Sequence, residues 1–199
     1  MSTEQDAPAD GALSTMDRPL KLHLGCGPKK LEGFVNVDIQ QSGIVDVVAD
    51  LRDLNMFPDG CADLIYACHV LEHFGRWEVD GVLQEWSRLL APGGILRVAV
   101  PDFDKCAKLY YENGLEDGLS GLVGLLVGGQ RDAYDYHKSV FDFRLLSAKL
   151  EEAGMHDIRR WDWRKTEHAH IDDYSQAYLP HMQKDTGTHM SLNVEGKKL

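Results

Sequence analysis

The chain has 199 residues, 43% of them apolar and 27% charged, enough for one domain whose core needs neither disulfides nor metals. Its 32 acidic and 21 basic residues give a formal charge of −11, which disfavours nucleic acid or an anionic membrane surface as a partner. The four cysteines, Cys26, Cys61, Cys68 and Cys106, form no CxxC pair and read as reduced thiols of a cytoplasmic protein.

In chain order, residues 1–18 are polar and acidic, without the basic and apolar regions of a secretion signal. A disordered tail is expected there, followed by a single domain over residues 19–199. Strands are expected at 20–24, 34–38, 43–49 and 62–67, each rich in apolar or β-branched residues. Over 77–90 the period changes. Val79, Val82, Leu83, Trp86, Leu89 and Leu90 fall on one helical stripe, and Pro92-Gly93-Gly94 marks the stop. A fifth strand at 95–100 leads to Asp102, a candidate cap for a helix over 103–113. Asp142 is placed to start another helix, with Leu145, Leu146, Leu150 and Ala153 buried and Gly154 as its stop. Residues 158–163 and 191–195 complete seven strands. The glycine-rich stretch around 114–140 reads as an insertion, and its apolar run 119–127 is far too short to span a bilayer. That run suits a core position, a lid or a surface for a homodimer.

Strands alternating with helices predict a doubly wound, Rossmann-like α/β fold with a mostly parallel sheet covered on both faces. The stretch Leu24-Gly25-Cys26-Gly27-Pro28, followed by Val37-Asp38, carries the chemistry. Glycines let the main chain approach a ligand, and a carboxylate at the next strand end can accept from both hydroxyls of a ribose. Only nine residues, 25–33, separate the first two strands, so the first crossover helix is shortened to about a turn, with Pro28 in it. That spacing disfavours a nicotinamide site, where a third glycine follows and the ribose acid lies further along; here Lys30 fills the third glycine's place.

Five pieces, in this order and spacing, resemble the class I S-adenosylmethionine-dependent methyltransferases, in particular their type 11-like group. They are Leu22-His23-Leu24-Gly25-Cys26-Gly27, Asn36-Val37-Asp38-Ile39, Ala49-Asp50-Leu51, His69-Val70-Leu71-Glu72-His73 and Leu89-Leu90-Ala91-Pro92-Gly93-Gly94. Gly128-Gly129-Gln130 and Asp135-Tyr136-His137-Lys138 also look like members associated with polysaccharide biosynthesis. The resemblance implies a seven-stranded sheet that binds S-adenosylmethionine and releases S-adenosylhomocysteine. Gly25, Cys26 and Gly27 would pass the methionine part and Asp38-Ile39 the ribose. Asp50-Leu51 would meet the adenine, with Cys68 and His69 lining the opposite side. Where the family's glycine motif is usually preceded by an acid, this chain has His23 and Leu24.

The expected reaction is methyl transfer to a hydroxyl oxygen of a sugar or other small molecule. An alternative is a non-catalytic S-adenosylmethionine-binding regulatory or partner subunit, and a third is an NAD-dependent oxidoreductase. A hydroxyl acceptor benefits from a general base, most often histidine. His137 is the first candidate, with Asp135 placed to orient it, and His73 is the second. Against these stand ordinary packing or surface histidines. His69 to His73 also matches the HxxEH pattern of inverted zinc proteases, which requires both histidines on one helix face. Since His69 directly follows an apolar strand, no metal is expected. Tyr134, Tyr136, Tyr174, Trp161 and Trp163 are aromatic groups able to stack on a sugar; the two tryptophans alternate as core residues of a strand would.

Overall fold

The computed structural model describes residues 20–113, 118–181 and 183–199; the expected 1–18 tail and residues 114–117 of the expected insertion lie outside the described residues. In chain order the elements are β1 (Leu20–Leu24), β2 (Val35–Asp38), β3 (Val47–Val48), β4 (Ala62–Cys68), α1 (Val79–Leu89), β5 (Leu90–Pro101), α2 (Phe103–Asn113), α3 (Ser120–Val127), α4 (Phe143–Glu152), β6 (Met155–Arg160), β7 (Tyr178–Leu179), β8 (Thr188–His189) and β9 (Ser191–Lys198). Seven strands form one sheet in the order β3-β2-β1-β4-β5-β9-β6, and β7 and β8 pair as a small separate ribbon. β1 to β5 run parallel, while β9 is antiparallel to both β5 and β6. The mostly parallel, Rossmann-like sheet expected from the sequence is therefore present. Chain order reverses between β1 and β4, which makes the crevice at their carboxyl ends the place for a ligand.

The two faces of the sheet are covered differently. On one, α1 and α4 bury Val79, Val82, Leu83, Trp86, Leu89, Leu146 and Leu150 against Leu22, Leu24, Ile65, Val98 and Val100. These helices follow the apolar stripes of the sequence. Asp142 caps α4 by accepting from Leu145 N at 2.7 Å, and Gly154, at φ 85°, ends it in the left-handed region. Leu145 turns outward, however, and is 45% exposed. On the other face, Leu31, Phe34, Leu64 and Tyr66 form a second core with Trp161 and Ile171. Segments 28–34 and 161–176, which contain no α-helix among the described residues, supply that cover.

Three local expectations are corrected. No helix forms between β1 and β2; the connection is a series of turns that lays Leu31 and Phe34 on the second core. The third strand shrinks from 43–49 to two residues. There, Asp46 accepts from Asn36 N at 2.8 Å with its carboxylate, so a side chain replaces part of the ladder. The strand expected over 158–163 runs instead over Met155–Arg160. Trp161 lies just beyond it, donating to Val98 O at 3.2 Å, and Trp163 lies in a 3₁₀ turn with the Arg164 guanidinium 4.4 Å from its ring centre.

Trp86 joins α1 to the loop after β3. It is fully buried and donates from Nε1 to Leu51 O at 3.0 Å. Trp86→Ala should destabilise the fold by about 3–5 kcal/mol in urea denaturation. Trp86→Phe, which retains most of the volume but leaves the Leu51 carbonyl without its donor, should cost about 1–3 kcal/mol.

Candidate functional site

The glycine turn leaves β1 at Gly25, whose φ of 67° lies in the left-handed region. Gly25 N and Cys26 N both donate to Val37 O, at 2.8 and 3.1 Å. This ties the turn to the end of β2. On its other side the turn presses against the chain leaving β4. A Cβ at Gly25 would lie 2.3 Å from Val70 Cγ2, so both the dihedral and the space demand glycine. Gly27, at φ 51°, donates its N–H to Asp38 Oδ2 at 2.8 Å. The Cys26 thiol is buried, and that burial pushes it up to about 11, so it stays a neutral lining group.

The structure brings the sequence-predicted cofactor residues to the carboxyl edge of the sheet. Asp38 ends β2, half-buried, with Oδ2 on Gly27 N and Oδ1 accepting from Gln40 N at 2.9 Å. An ionised carboxylate offers about four lone-pair sites, so two remain for a ligand. Ile39 follows with its side chain partly exposed. Asp50 is more committed: Arg52 donates to it from Nε and Nη2, the latter at 2.6 Å. This side-chain bond to Arg52 holds the carboxyl below its usual range. Arg52 also reaches Glu78 at 2.9 Å. Leu51 is buried, with its carbonyl on Trp86.

At the end of β4, burial pushes the Cys68 thiol well up. His69 turns at φ 53°, and burial, ahead of the neighbouring histidines, brings it down to about 3. Its Nε2 lies 3.1 Å from Ser191 Oγ. The Ser191 hydroxyl donates to Asn193 Oδ1 at 2.8 Å. With its one proton so used, Ser191 can only accept from His69 Nε2–H, which leaves a lone pair on His69 Nδ1. That nitrogen lies 3.3 Å from Glu72 Oε1.

The two candidate bases, 64 positions apart in the chain, meet here. The rings of His73 and His137 stand edge to face with centroids 4.9 Å apart. His73 Nδ1 lies 3.2 Å from Tyr136 O, and His137 Nδ1 lies 3.0 Å from Leu125 O. Since a carbonyl can only accept, both Nδ1 atoms carry the proton and both Nε2 atoms present lone pairs. Burial lowers both histidines from 6.5, which keeps them neutral at pH 7. Asp135 does not provide the expected support for His137. Its carboxylate accepts from Arg131 Nε at 2.6 Å, and the Leu125 carbonyl orients the ring instead. Exposed Tyr136 and Tyr174 border the same edge, the latter with its ring 5.3 Å from that of His69.

Sequence reasoning missed Glu72 as a site residue. Its side chain is 1% exposed, and neither oxygen has a hydrogen-bond partner among the described residues. Burial raises it to about 8, so it carries a proton at pH 7. The available signal was a carboxylate set between Leu71 and the His73-Phe74 pair, where a buried turn leaves no route to water. Ser191 and Asn193 had no such signal, because β9 is brought beside β5 only by the antiparallel return of the chain.

Comparison with known proteins agrees with this fold. A family model described as a methyltransferase domain matches residues 29–98. No curated protein matches the chain by sequence. Among solved structures, a S-adenosylmethionine-dependent methyltransferase from Archaeoglobus fulgidus aligns with a TM-score of 0.57 at 15% identity, over 90% of this chain and 86% of that one. One from Thermotoga maritima, described as a possible histamine N-methyltransferase, aligns at 0.54 and 13% identity over 93% and 84%. Human N-acetylserotonin methyltransferase, in complex with S-adenosylmethionine, aligns at 0.52 and 14% over 90% and 47%. These likenesses carry the fold, and the matched segment holds Asp38, Asp50 and the end of β4. With the sheet order and the glycine turn at its switch point, they give the chain the fold of the class I S-adenosylmethionine-dependent methyltransferases, with a methyltransferase-domain match over residues 29–98.

Proposed function

We propose that the chain transfers the methyl group of S-adenosylmethionine to a hydroxyl oxygen of a sugar or another small molecule. The observation that carries this reading is the pair of neutral imidazoles, His73 and His137, whose rings meet edge to face at the carboxyl edge of the sheet with Nε2 unprotonated. A neutral alcohol becomes a good nucleophile as its proton leaves, and a positioned histidine takes that proton. Tyr136 and Tyr174 offer exposed rings beside it, suited to the apolar face of a saccharide.

The glycine turn and Asp38 offer groups suited to S-adenosylmethionine. The turn packs the Gly25 main chain against Val70, while the space beside Gly27 is open, so a ligand can approach main chain there. Asp38 retains lone pairs for two ribose hydroxyls, as in other doubly wound nucleotide sites. Gly25, Cys26 and Gly27 would face the methionine part, Ile39 and Leu51 the rings, and Cys68 and His69 the far wall. Asp50 would accept from the adenine amino group in competition with Arg52. When bound, the cofactor supplies an electrophilic methyl group. The protein then aligns the acceptor oxygen with it and excludes water, and such alignment supplies much of the rate of a displacement.

Calorimetry tests the cofactor end. Asp38→Ala should weaken S-adenosylmethionine binding about 10- to 100-fold, the equivalent of hydrogen bonds to a charged group; unchanged affinity would remove Asp38 from the site.

An acceptor screen, with saccharides first, tests the chemistry. His137→Ala should lower kcat by about 10²- to 10⁴-fold while still binding cofactor. Because burial lowers both histidines, the rise of kcat with pH should lie below pH 6.5. Full turnover in both His137→Ala and His73→Ala would exclude an imidazole base.

A further inference from the structure

The groups around Glu72 present more lone pairs to one another than donors. Glu72, His73 and His137 each offer one ligand atom, and these atoms all lie within 4.8 Å of one another. His137 Nε2 is 3.9 Å from Glu72 Oε1. The tautomers leave the Nε2 atoms of His73 and His137 unprotonated, that of His137 facing Glu72 Oε1 at 3.9 Å, while the His69 Nδ1 lone pair faces Glu72 Oε1 at 3.3 Å. The carboxylate is 1% exposed and has no hydrogen-bond partner for either oxygen among the described residues. Buried polar groups of native proteins are almost always satisfied.

A proton on Glu72 answers only part of this. A carboxylic acid donates one hydrogen bond, which His69 Nδ1 can take, and the Nε2 atoms of His73 and His137 are then left without a donor from it. A cation with several coordination positions answers all the lone pairs together. The supporting arrangement has the same character. Metal-bound histidines commonly donate their other ring N–H to a main-chain carbonyl, which fixes tautomer and ring orientation. His73 and His137 both do so, on Tyr136 O and Leu125 O.

We propose that Glu72, His73 and His137 form a binding site for one divalent transition-metal ion beside the methyl acceptor. Two imidazoles and one carboxylate suit zinc, iron, cobalt or manganese better than magnesium or calcium, which prefer all-oxygen sites. Ligands about 2.1 Å from a tetrahedral ion lie roughly 3.4 Å apart, so the three ligand atoms, 3.9 Å apart for Glu72–His137 and all within 4.8 Å, must draw together around the ion. This site differs from the one the HxxEH pattern suggests. His69 and His73 do not share a helix, because His69 turns at φ 53° and only Leu71–His73 form a short 3₁₀ segment. His137, from the loop after α3, takes the place of the first histidine.

Three protein ligands leave an open position, as catalytic metal sites do. The assignment of that position to the acceptor rests on the hydroxyl-acceptor reading above; the metal site itself does not. A metal-bound hydroxyl loses its proton far more readily than a free one, which would relieve His73 and His137 of the role of base. Coordination requires an ionised Glu72, so binding should release a proton and strengthen with rising pH.

The test is titration of chelator-treated full-length protein with zinc or cobalt, followed by calorimetry and, for cobalt, by visible absorption. One equivalent should bind, and Glu72→Gln and His137→Asn should each weaken it at least about 100-fold, more than the loss of a supporting group. S-adenosylmethionine binding by each variant reports folding. His73→Asn, at the most accessible ligand, serves if a buried variant fails that check. No binding up to millimolar metal, or equal binding by the variants, would overturn the proposal. Turnover of a hydroxyl acceptor by metal-free protein would leave the imidazole base in place and remove the metal from the reaction. Metal binding without turnover of any hydroxyl acceptor would instead retain the site and remove the acceptor reading.

Discussion

The close approach of Gly25 to Val70, where even a methyl group would overlap at 2.3 Å, governs the rest of the active edge. It joins the chain leaving β1 to the chain leaving β4 across the point where strand order reverses. The space a side chain would take at Gly25 is filled by Val70 itself. The same turn directs Gly27 N at Asp38, so the glycines also set the direction of that carboxylate. Val70 in turn leads directly into Leu71–His73. The glycine turn and the His69–His73 segment are therefore braced against each other through one van der Waals contact, and packed interiors transmit such displacements rather than absorb them.

Shortening the first crossover has a consequence on the second face of the sheet. With no helix between β1 and β2, the cover there comes from Leu31, Phe34, Trp161 and Ile171, and polar groups are enclosed with them. His23 bonds Asn36 at 3.0 Å and stacks on Tyr66. Tyr66 donates to Asp173 Oδ2 at 2.7 Å. His168 lies against Tyr66 with ring centres 4.4 Å apart, and burial brings it down to about 4. The chain thus replaces helix packing with aromatic contacts and a few buried hydrogen bonds, which are strong in a low dielectric when satisfied.

How much of this was legible in the sequence follows from the range of each interaction. α1 could be read from its own stripe and α4 from Asp142 and Gly154, because capping and amphipathic spacing are local. Gly25, Gly27 and Asp38 were legible for the same reason, being a turn and the strand end beside it. β3 was overestimated because its apolar residues resemble a full strand, and nothing local reveals that Asp46 will take over the Asn36 N–H. The orientation of His137 was misassigned to its neighbour Asp135 for a related reason. An ion pair with Arg131 at short range satisfies that carboxylate, whereas the Leu125 carbonyl becomes available only through the fold of α3. Ser191, which sets the tautomer of His69, is 122 positions away.

Glu72 is where stability and function part company. Moving a carboxylate from water into a site without donors is unfavourable enough to hold it protonated near neutral pH, and burial raises it to about 8. An apolar residue of similar volume would fit the same turn between Leu71 and His73 without that cost, since replacing buried charge by packed side chains is often neutral or stabilising. The helices and the core of β4 do not depend on its oxygens, which make no hydrogen bond among the described residues. What its position does serve is the end of β4, where His69, His73 and His137 turn their lone pairs toward it. A group that weakens the fold while completing a set of converging ligands belongs to the chemistry of the edge, and strain of this kind persists where the surrounding structure can hold it. The β4–β5 pairing and the packed face behind it provide that support.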